Sequence, residues 1–198
     1  MIPEIGHFFL WLALGVAFIL GVVPMAGAAR GRDDWMAIAR PATYALFALV
    51  LGAFVCLTAS FVLHDFSVLY VASNSNSALP LQYRIAGVWG GHEGSLLLWV
   101  QMLAVWMVAV AMFSKHLPRE VLARILSVMG WVSVGFLLFM LITSNPFDRI
   151  FPAPADGRDL NPLLQDLGMV THPPMLYMGY VGFCVAYAFA IAALIGGN

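Results

Sequence analysis

The chain has 198 residues, of which 62% are hydrophobic and only 10% are charged. Soluble domains carry about 25% charged residues, so this composition excludes an ordinary soluble protein, which would lack the polar side chains to cover its surface. Nine Lys and Arg against ten Asp and Glu give a net charge of -1, which leaves no basic excess for nucleic acid. The remaining class is an all-α, polytopic membrane protein in a lipid bilayer.

Five uncharged stretches are long enough to cross the bilayer as helices. They cover residues 5–25, 41–63, 96–113, 125–143 and 174–195. The first is followed by Ala26-Gly27-Ala28, a tripeptide that signal peptidase could cleave. Its apolar core is too long for a signal peptide and no basic residue precedes it, so we interpret it as a membrane helix. No internal repeat is found that would indicate an inverted-repeat transporter.

The basic residues predict the orientation of the chain. We number the four connections loop 1 (26–40), loop 2 (64–94), loop 3 (114–124) and loop 4 (144–173). Loops 2 and 4 hold three basic residues and loops 1 and 3 hold six, namely Arg30, Arg32, Arg40, Lys115, Arg119 and Arg124. Because cytoplasmic loops are enriched in Lys and Arg, loops 1 and 3 are predicted to be cytoplasmic. The N-terminus and loops 2 and 4 then lie outside.

Loops 2 and 4 are long, about thirty residues each, and unstructured loops of that length are uncommon. Several prolines interrupt them, so we expect two ordered external caps with short helical turns. One turn is predicted near residues 159–166, where Asn161 can act as N-cap and Pro162 can occupy the first helical position.

The isolated cysteines and three of the histidines fit a structural role. Cys56 and Cys184 lie in apolar stretches without a metal or haem-attachment spacing, so we expect both to be packing residues. His7 and His64 are expected at the membrane interface, and His116 in a solvated basic turn.

His172 differs because Pro173 and Pro174 follow it directly. A residue before proline avoids the α region, so we expect His172 to be extended at the outer mouth of the fifth helix. Below it one helical face carries Tyr177, Tyr180, Cys184 and Tyr187. An imidazole above an aromatic face suits a haem. The alternative is an aromatic belt at the membrane interface, with a hydrogen-bonded histidine.

A second unusual segment precedes the third helix. It contains two interleaved G-x-x-x-G pairs, Gly87/Gly91 and Gly90/Gly94, which permit close backbone approach. The segment is predicted either to shape a ligand cleft or to pack helices; its residues are Trp89, Gly90, Gly91, His92, Glu93 and Gly94. Glu93 lies just before the third helix, where the positive end of the helix dipole stabilises a carboxylate. His92 alone is only weak evidence for a metal site.

Five runs in the chain resemble the CcmF family of cytochrome c maturation proteins. They are NSNSALP (74–80), WGGHEGS (89–95), TSNPFDR (143–149), ADGRDLNP (155–162) and HPPMLYMGY (172–180). The resemblance implies a haem lyase subunit of the bacterial inner membrane, rather than the mitochondrial one. Such a subunit receives haem from a carrier protein and positions it for attachment to apocytochrome c. The implied partners include a thioredoxin-like reductant and an apocytochrome-binding subunit.

The resemblance also implies ligand roles. His172 matches the first of two external histidines that bind haem in this family. The second histidine, a tryptophan-rich segment and the ligands of a haem b are expected in a C-terminal portion beyond these 198 residues. We therefore expect a fragment or one part of a split protein, inactive by itself. Leu167 stands where the family pattern has proline, which is expected to loosen the turn before His172.

Two other function classes stay open on the residues alone. A transporter or ion-translocating subunit is disfavoured because such proteins place ionisable residues at membrane depth, and the five stretches carry none. A structural scaffold for partner subunits is the other alternative. It predicts that exchanges in loops 2 and 4 disturb assembly and leave haem spectra intact.

Overall fold

A computed structural model describes residues 1–197 and confirms the all-α class. The α-helices are α1 (Ile2–Arg30), α2 (Asp33–Met36), α3 (Ala39–Val62), α4 (Leu69–Asn74), α5 (Leu81–Gly87), α6 (His92–Phe113), α7 (Arg119–Thr143), α8 (Leu167–Val181) and α9 (Phe183–Gly196). Five spans are long and apolar enough to cross a membrane, in line with the sequence. They are α1, α2 with α3, α6, α7, and α8 with α9.

The helices extend beyond most of the predicted apolar stretches. Hydropathy marks only the part suited to hydrocarbon, whereas a helix continues until its backbone is capped. α1 therefore continues to Arg30 and ends at Gly31, whose φ of 64° suits glycine. α7 begins at Arg119, directly after Pro118. The second stretch ends one residue earlier than expected, because Leu63 is the C-cap of α3.

α1 packs against α3 and α7, and α6 packs against α3, α7 and α8. The contact between α1 and α7 is close because both helices carry a glycine there. A Cβ atom on Gly130 would lie 3.1 Å from the backbone nitrogen of Gly21. Beside this contact the buried Ser127 hydroxyl donates to the Leu20 carbonyl at 2.9 Å. Small residues and hydroxyl groups of this kind are what hold membrane helices together.

Ion pairs show which loops lie together at each end of the helix bundle. Arg149 of loop 4 contacts Glu4 of α1 and lies 3.2 Å from Asp65 of loop 2. At the opposite end Arg119 lies 3.7 Å from Asp33 of α2. We call the end with the N-terminus, loop 2 and loop 4 the capped end, and the end with loops 1 and 3 the basic end. This grouping is as predicted; which end faces outside stays a prediction.

The capped end is ordered, as the sequence predicts, because loops 2 and 4 bind each other. Arg158 donates its backbone N–H to the Ala72 carbonyl at 2.7 Å. Asp156 accepts hydrogen bonds from the Ser77 hydroxyl at 2.6 Å and from the Ser77 backbone at 2.9 Å. These bonds lower the pKa of Asp156 below its usual value.

A 3₁₀ turn forms at Pro162–Gln165 in loop 4, and Asn161 caps it by accepting from the Leu163 N–H at 3.1 Å. This confirms the turn that the sequence predicts.

The two cysteines are free and half-buried, and both pack against the core, as expected. The His7 ring accepts from the Trp11 indole at 2.8 Å, and the His64 ring lies 2.8 Å from the Arg84 guanidinium.

Candidate functional site

The fifth span begins seven residues before the predicted start. Asp166 is the N-cap of α8, and its carboxylate accepts from the N–H groups of Gly168 at 2.9 Å and Met169 at 3.3 Å. An aspartate at this position is a strong helix-start signal that the sequence interpretation missed. Leu167 occupies the first helical position, which also suits proline. The expected loosening at Leu167 stays a prediction, and the Asp166 cap supports the helix start beside it.

His172 is helical, so the prediction of an extended conformation is wrong. α8 runs through Pro173 and Pro174 to Val181. Each proline removes one N–H from the helix, and Pro174 leaves the Val170 carbonyl without the donor that lies four residues on. The Trp89 indole replaces that donor, giving its N–H to the Val170 carbonyl at 3.0 Å. The Asp166 cap and this bond together outweigh the preference of His172 for extended backbone.

A second indole supports the other end of α8 in the same way. The helix is interrupted at Gly182, whose N–H bonds to the Tyr180 carbonyl instead of to Met178. Trp106 of α6 donates its indole N–H to the Met178 carbonyl at 3.0 Å. Gly182 also lets the indole approach, since a Cβ atom there would lie 3.3 Å from the Trp106 ring. Trp89 and Trp106 therefore each donate a hydrogen bond to a carbonyl of α8 whose usual helical N–H donor is missing.

The His172 side chain is exposed near the capped end of the fifth span. Within residues 1–197 its ring takes part in no side-chain hydrogen bond. Both ring nitrogens are thus open to solvent or to a ligand, and a neutral imidazole can bind a metal through either one. Among the same residues no group of three His, Cys, Asp or Glu side chains could hold a metal ion. His172 can supply one ligand to an iron that is already held by a porphyrin.

The aromatic face below His172 is only partly free. Tyr177 is half-buried against the core, whereas Tyr180 is 42% exposed and Tyr187 is 56% exposed. The ring of Tyr180 lies 5.7 Å from that of Tyr177 and 6.4 Å from that of Trp99 on α6. The Trp99 ring in turn lies 3.8 Å from the Phe136 ring, tilted by 32°. The accessible part of this surface is therefore an aromatic edge backed by a packed aromatic cluster.

The glycines around the start of α6 pack against Tyr70, a loop 2 residue that the sequence analysis did not single out. The buried Tyr70 hydroxyl donates to the Val88 carbonyl at 3.1 Å and accepts from the Gly91 N–H at 2.9 Å. A Cβ atom on Gly94 would lie 1.7 Å from the Val88 carbonyl oxygen, and one on Gly90 would lie 2.8 Å from Leu160. Burial raises the pKa of Tyr70, so its hydroxyl stays protonated.

His92 and Glu93 face a different neighbour. The His92 ring lies 3.3 Å from the Ser144 hydroxyl and edge-on to Phe139, both at the end of α7. Within residues 1–197 none of its hydrogen bonds or ring contacts reaches α8. Glu93 is in the first turn of α6 and lines a small cleft of about 190 Å³ together with Asn74 and Asp148. The structure therefore joins Trp89 to α8 and separates His92 from it.

The fold defines a polytopic helical membrane protein with two long loops packed over one end. Comparison with known proteins is consistent with the motifs. The family model for the cytochrome C assembly protein matches residues 89–197, and the chain belongs to this family.

The curated relatives include the cytochrome c-type biogenesis protein CcmF of Pseudomonas aeruginosa, 61% identical over 100% of this chain and 30% of the relative. The CcmF of Escherichia coli is 59% identical over 100% of this chain and 31% of the relative. The chain thus matches the N-terminal portion of these proteins and spans about 30% of their length. A solved structure of the cytochrome c haem lyase CcmF superimposes with a TM-score of 0.86 at 25% identity, covering 100% of this chain and 31% of that one.

Proposed function

We propose that this chain receives haem from a carrier protein and positions it for covalent attachment to apocytochrome c. The work takes place at the capped end, which we assign to the periplasmic face of the bacterial inner membrane. Membership of a cytochrome c biogenesis family supports the general process. One observation carries the site assignment: His172 presents an exposed imidazole, free of side-chain hydrogen bonds within residues 1–197, near the capped end.

His172 is proposed to be an axial ligand of the iron in the incoming haem, which is cargo here. Ligation requires the neutral ring, because a protonated imidazole has no lone pair to give. The exposed edge of Tyr180 and the half-buried Tyr177 supply apolar surface for the macrocycle. Trp89 acts as a positioning residue, since its bond to the Val170 carbonyl fixes the turn of α8 two residues before His172.

A single histidine leaves the opposite side of the iron without a protein ligand. We propose that the second axial ligand, and the ligands of a haem b, come from outside these 198 residues. The glycines around the start of α6, and His92 at its first position, then support the capped end rather than bind haem. Tyr70 accounts for the close packing of Gly91 and Gly94, which favours the helix-packing reading of this segment.

The attachment joins the vinyl groups of haem to cysteine thiols of apocytochrome c. Those thiols belong to the partner and must be reduced, which is the proposed task of a thioredoxin-like reductant and an apocytochrome-binding subunit. Cys56 and Cys184 lie within membrane spans, packed against the core, and are not proposed to take part. The contribution of this chain is orientation, which lowers the barrier by holding two reactants in a productive geometry.

The test replaces His172 by glycine in the full-length protein and measures bound haem by absorbance, together with the yield of cytochrome c. We expect both to fall, and we expect added imidazole to restore haem binding by occupying the vacated position. His116→Gly, which removes an exposed histidine at the basic end, is the matched control and should change neither. Unchanged haem loading in the His172 variant would overturn the ligand assignment.

A further inference from the structure

A pocket of about 450 Å³ opens at the basic end, between the start of α3 and the start of α7. Its floor is apolar, since Met36 and Leu122 are 6% exposed and Ala123 is 1% exposed. Its rim carries three cations, which are Arg40, Lys115 and Arg119. The pocket therefore combines a hydrophobic base with a positive opening, and the proposed haem function uses neither.

The positive charge of the rim is only partly neutralised by nearby acids. Within residues 1–197 neither Arg40 nor Lys115 forms a salt bridge. Arg119 meets Asp33 at 3.7 Å, but both side chains are more than 70% exposed, so this pair is weak. The Nε atom of Arg40 is buried without a hydrogen-bond acceptor. A buried donor without an acceptor is costly, and a bound anion would relieve that cost.

The start of α7 also faces the pocket, and the one acid of its first turn, Glu120, lies 3.8 Å from Arg124 rather than beside the rim cations. α7 begins at Arg119, and Pro118 before it provides no side-chain cap. The first N–H groups of a helix have no partner within the helix and form the positive end of its dipole. Phosphate groups bind at such helix starts, especially where basic side chains converge.

We propose that this pocket binds the phosphate of an anionic phospholipid headgroup. The pocket lies at the ends of two membrane spans, which is the depth at which headgroups lie. The apolar floor suits the glycerol and upper acyl region of a lipid, which free phosphate lacks. Basic pockets between membrane helices on the cytoplasmic side are typical binding sites for anionic lipids. The inference is independent of haem and of the role of His172.

The experiment uses the full-length protein, delipidated in a neutral detergent, and measures bound lipid by native mass spectrometry. We expect phosphatidylglycerol to bind more tightly than phosphatidylcholine. Lys115→Gln and Arg40→Gln should each weaken phosphatidylglycerol binding about fivefold. Arg158→Gln removes the same charge at the capped end and should leave the binding unchanged.

Because Lys115 lies in an exposed turn between helices, its variant decides the test even if the Arg40 variant does not accumulate. Equal binding of the two lipids, or an unchanged affinity in Lys115→Gln, would overturn the proposal. Inorganic phosphate in millimolar excess should leave the lipid bound. Complete displacement by phosphate would show a site for the free anion and would overturn the lipid assignment.

Discussion

The Trp89 indole donates its hydrogen bond to the carbonyl of Val170, the carbonyl whose helical donor is missing because residue 174 is proline. A proline inside a helix normally costs a hydrogen bond and introduces a kink. Here a side chain from another part of the chain replaces the bond. The segment before α6 is thereby coupled to the turn that carries His172, although the two are about eighty residues apart in sequence.

Trp89→Phe is expected to lower the stability of the start of α8. The substitution keeps an aromatic ring and removes the indole N–H, which leaves the half-buried Val170 carbonyl without a donor. Loss of one partner of a buried hydrogen bond costs about 1–3 kcal/mol. Thermal unfolding in detergent should show the loss, and haem binding should fall with it. Trp35→Phe is the control, because no hydrogen bond of the Trp35 indole is observed within residues 1–197.

Pro174→Ala should suppress the effect of Trp89→Phe. Alanine restores an N–H at position 174, which can donate to the same Val170 carbonyl along the helix. The double variant is therefore expected to be more stable than Trp89→Phe alone, whereas independent sites would simply add. Additive losses in this double-mutant cycle would refute the idea that the indole substitutes for the missing helical donor.

Gly94→Ala is expected to prevent normal folding of the capped end. The added methyl group would lie 1.7 Å from the Val88 carbonyl oxygen and 2.7 Å from the Tyr70 hydroxyl, so backbone must move. Overpacking of this kind costs about 3 kcal/mol or more. Gly135→Ala on α7, where a Cβ atom meets nothing within 4 Å, is the matched control. Protein yield and melting temperature should fall in the first variant and hold in the second.

Much of the fold follows from features that act locally along the sequence. Apolar length predicts five spans, and the alternation of those spans across the bilayer predicts which loops share an end. Asn161 followed by Pro162 predicts the turn in loop 4. The helix ends were less predictable, because they depend on caps such as Asp166 rather than on hydropathy.

The geometry around His172 could not be predicted because it depends on a distant side chain. Local rules for the residue before proline favour an extended His172. They hold only if no other group replaces the helical hydrogen bond that the proline removes. Trp89 of loop 2 replaces that bond by donating to the Val170 carbonyl. A single sequence contains no signal for a contact between Trp89 and Val170. Tyr70 was missed for a similar reason, since its hydroxyl matters only where the glycines before α6 fold onto it.

The contact between loops 2 and 4 should weaken only in strong acid. Hydrogen bonds from Ser77 lower the pKa of Asp156 below its unfolded value of 3.8. A lowered pKa stabilises the folded state above the unfolded value, and that stability is lost as the pH falls through the folded value. Limited proteolysis of loop 2 should therefore be constant above pH 4 and increase below it. Asp156→Asn should lose this dependence and be cleaved faster at neutral pH.

The orientation of the bundle can be tested by labelling from one side of the membrane. We expect a cysteine placed at Ala155, which is exposed in loop 4, to react with an impermeant maleimide in intact cells. A cysteine at His116 in the basic end should react only after the membrane is opened. Cys56 and Cys184 are replaced by alanine in both variants to remove background. The reverse pattern would place His172 on the cytoplasmic side, where haem could not meet an apocytochrome c partner in the periplasm, and the proposed function would fail.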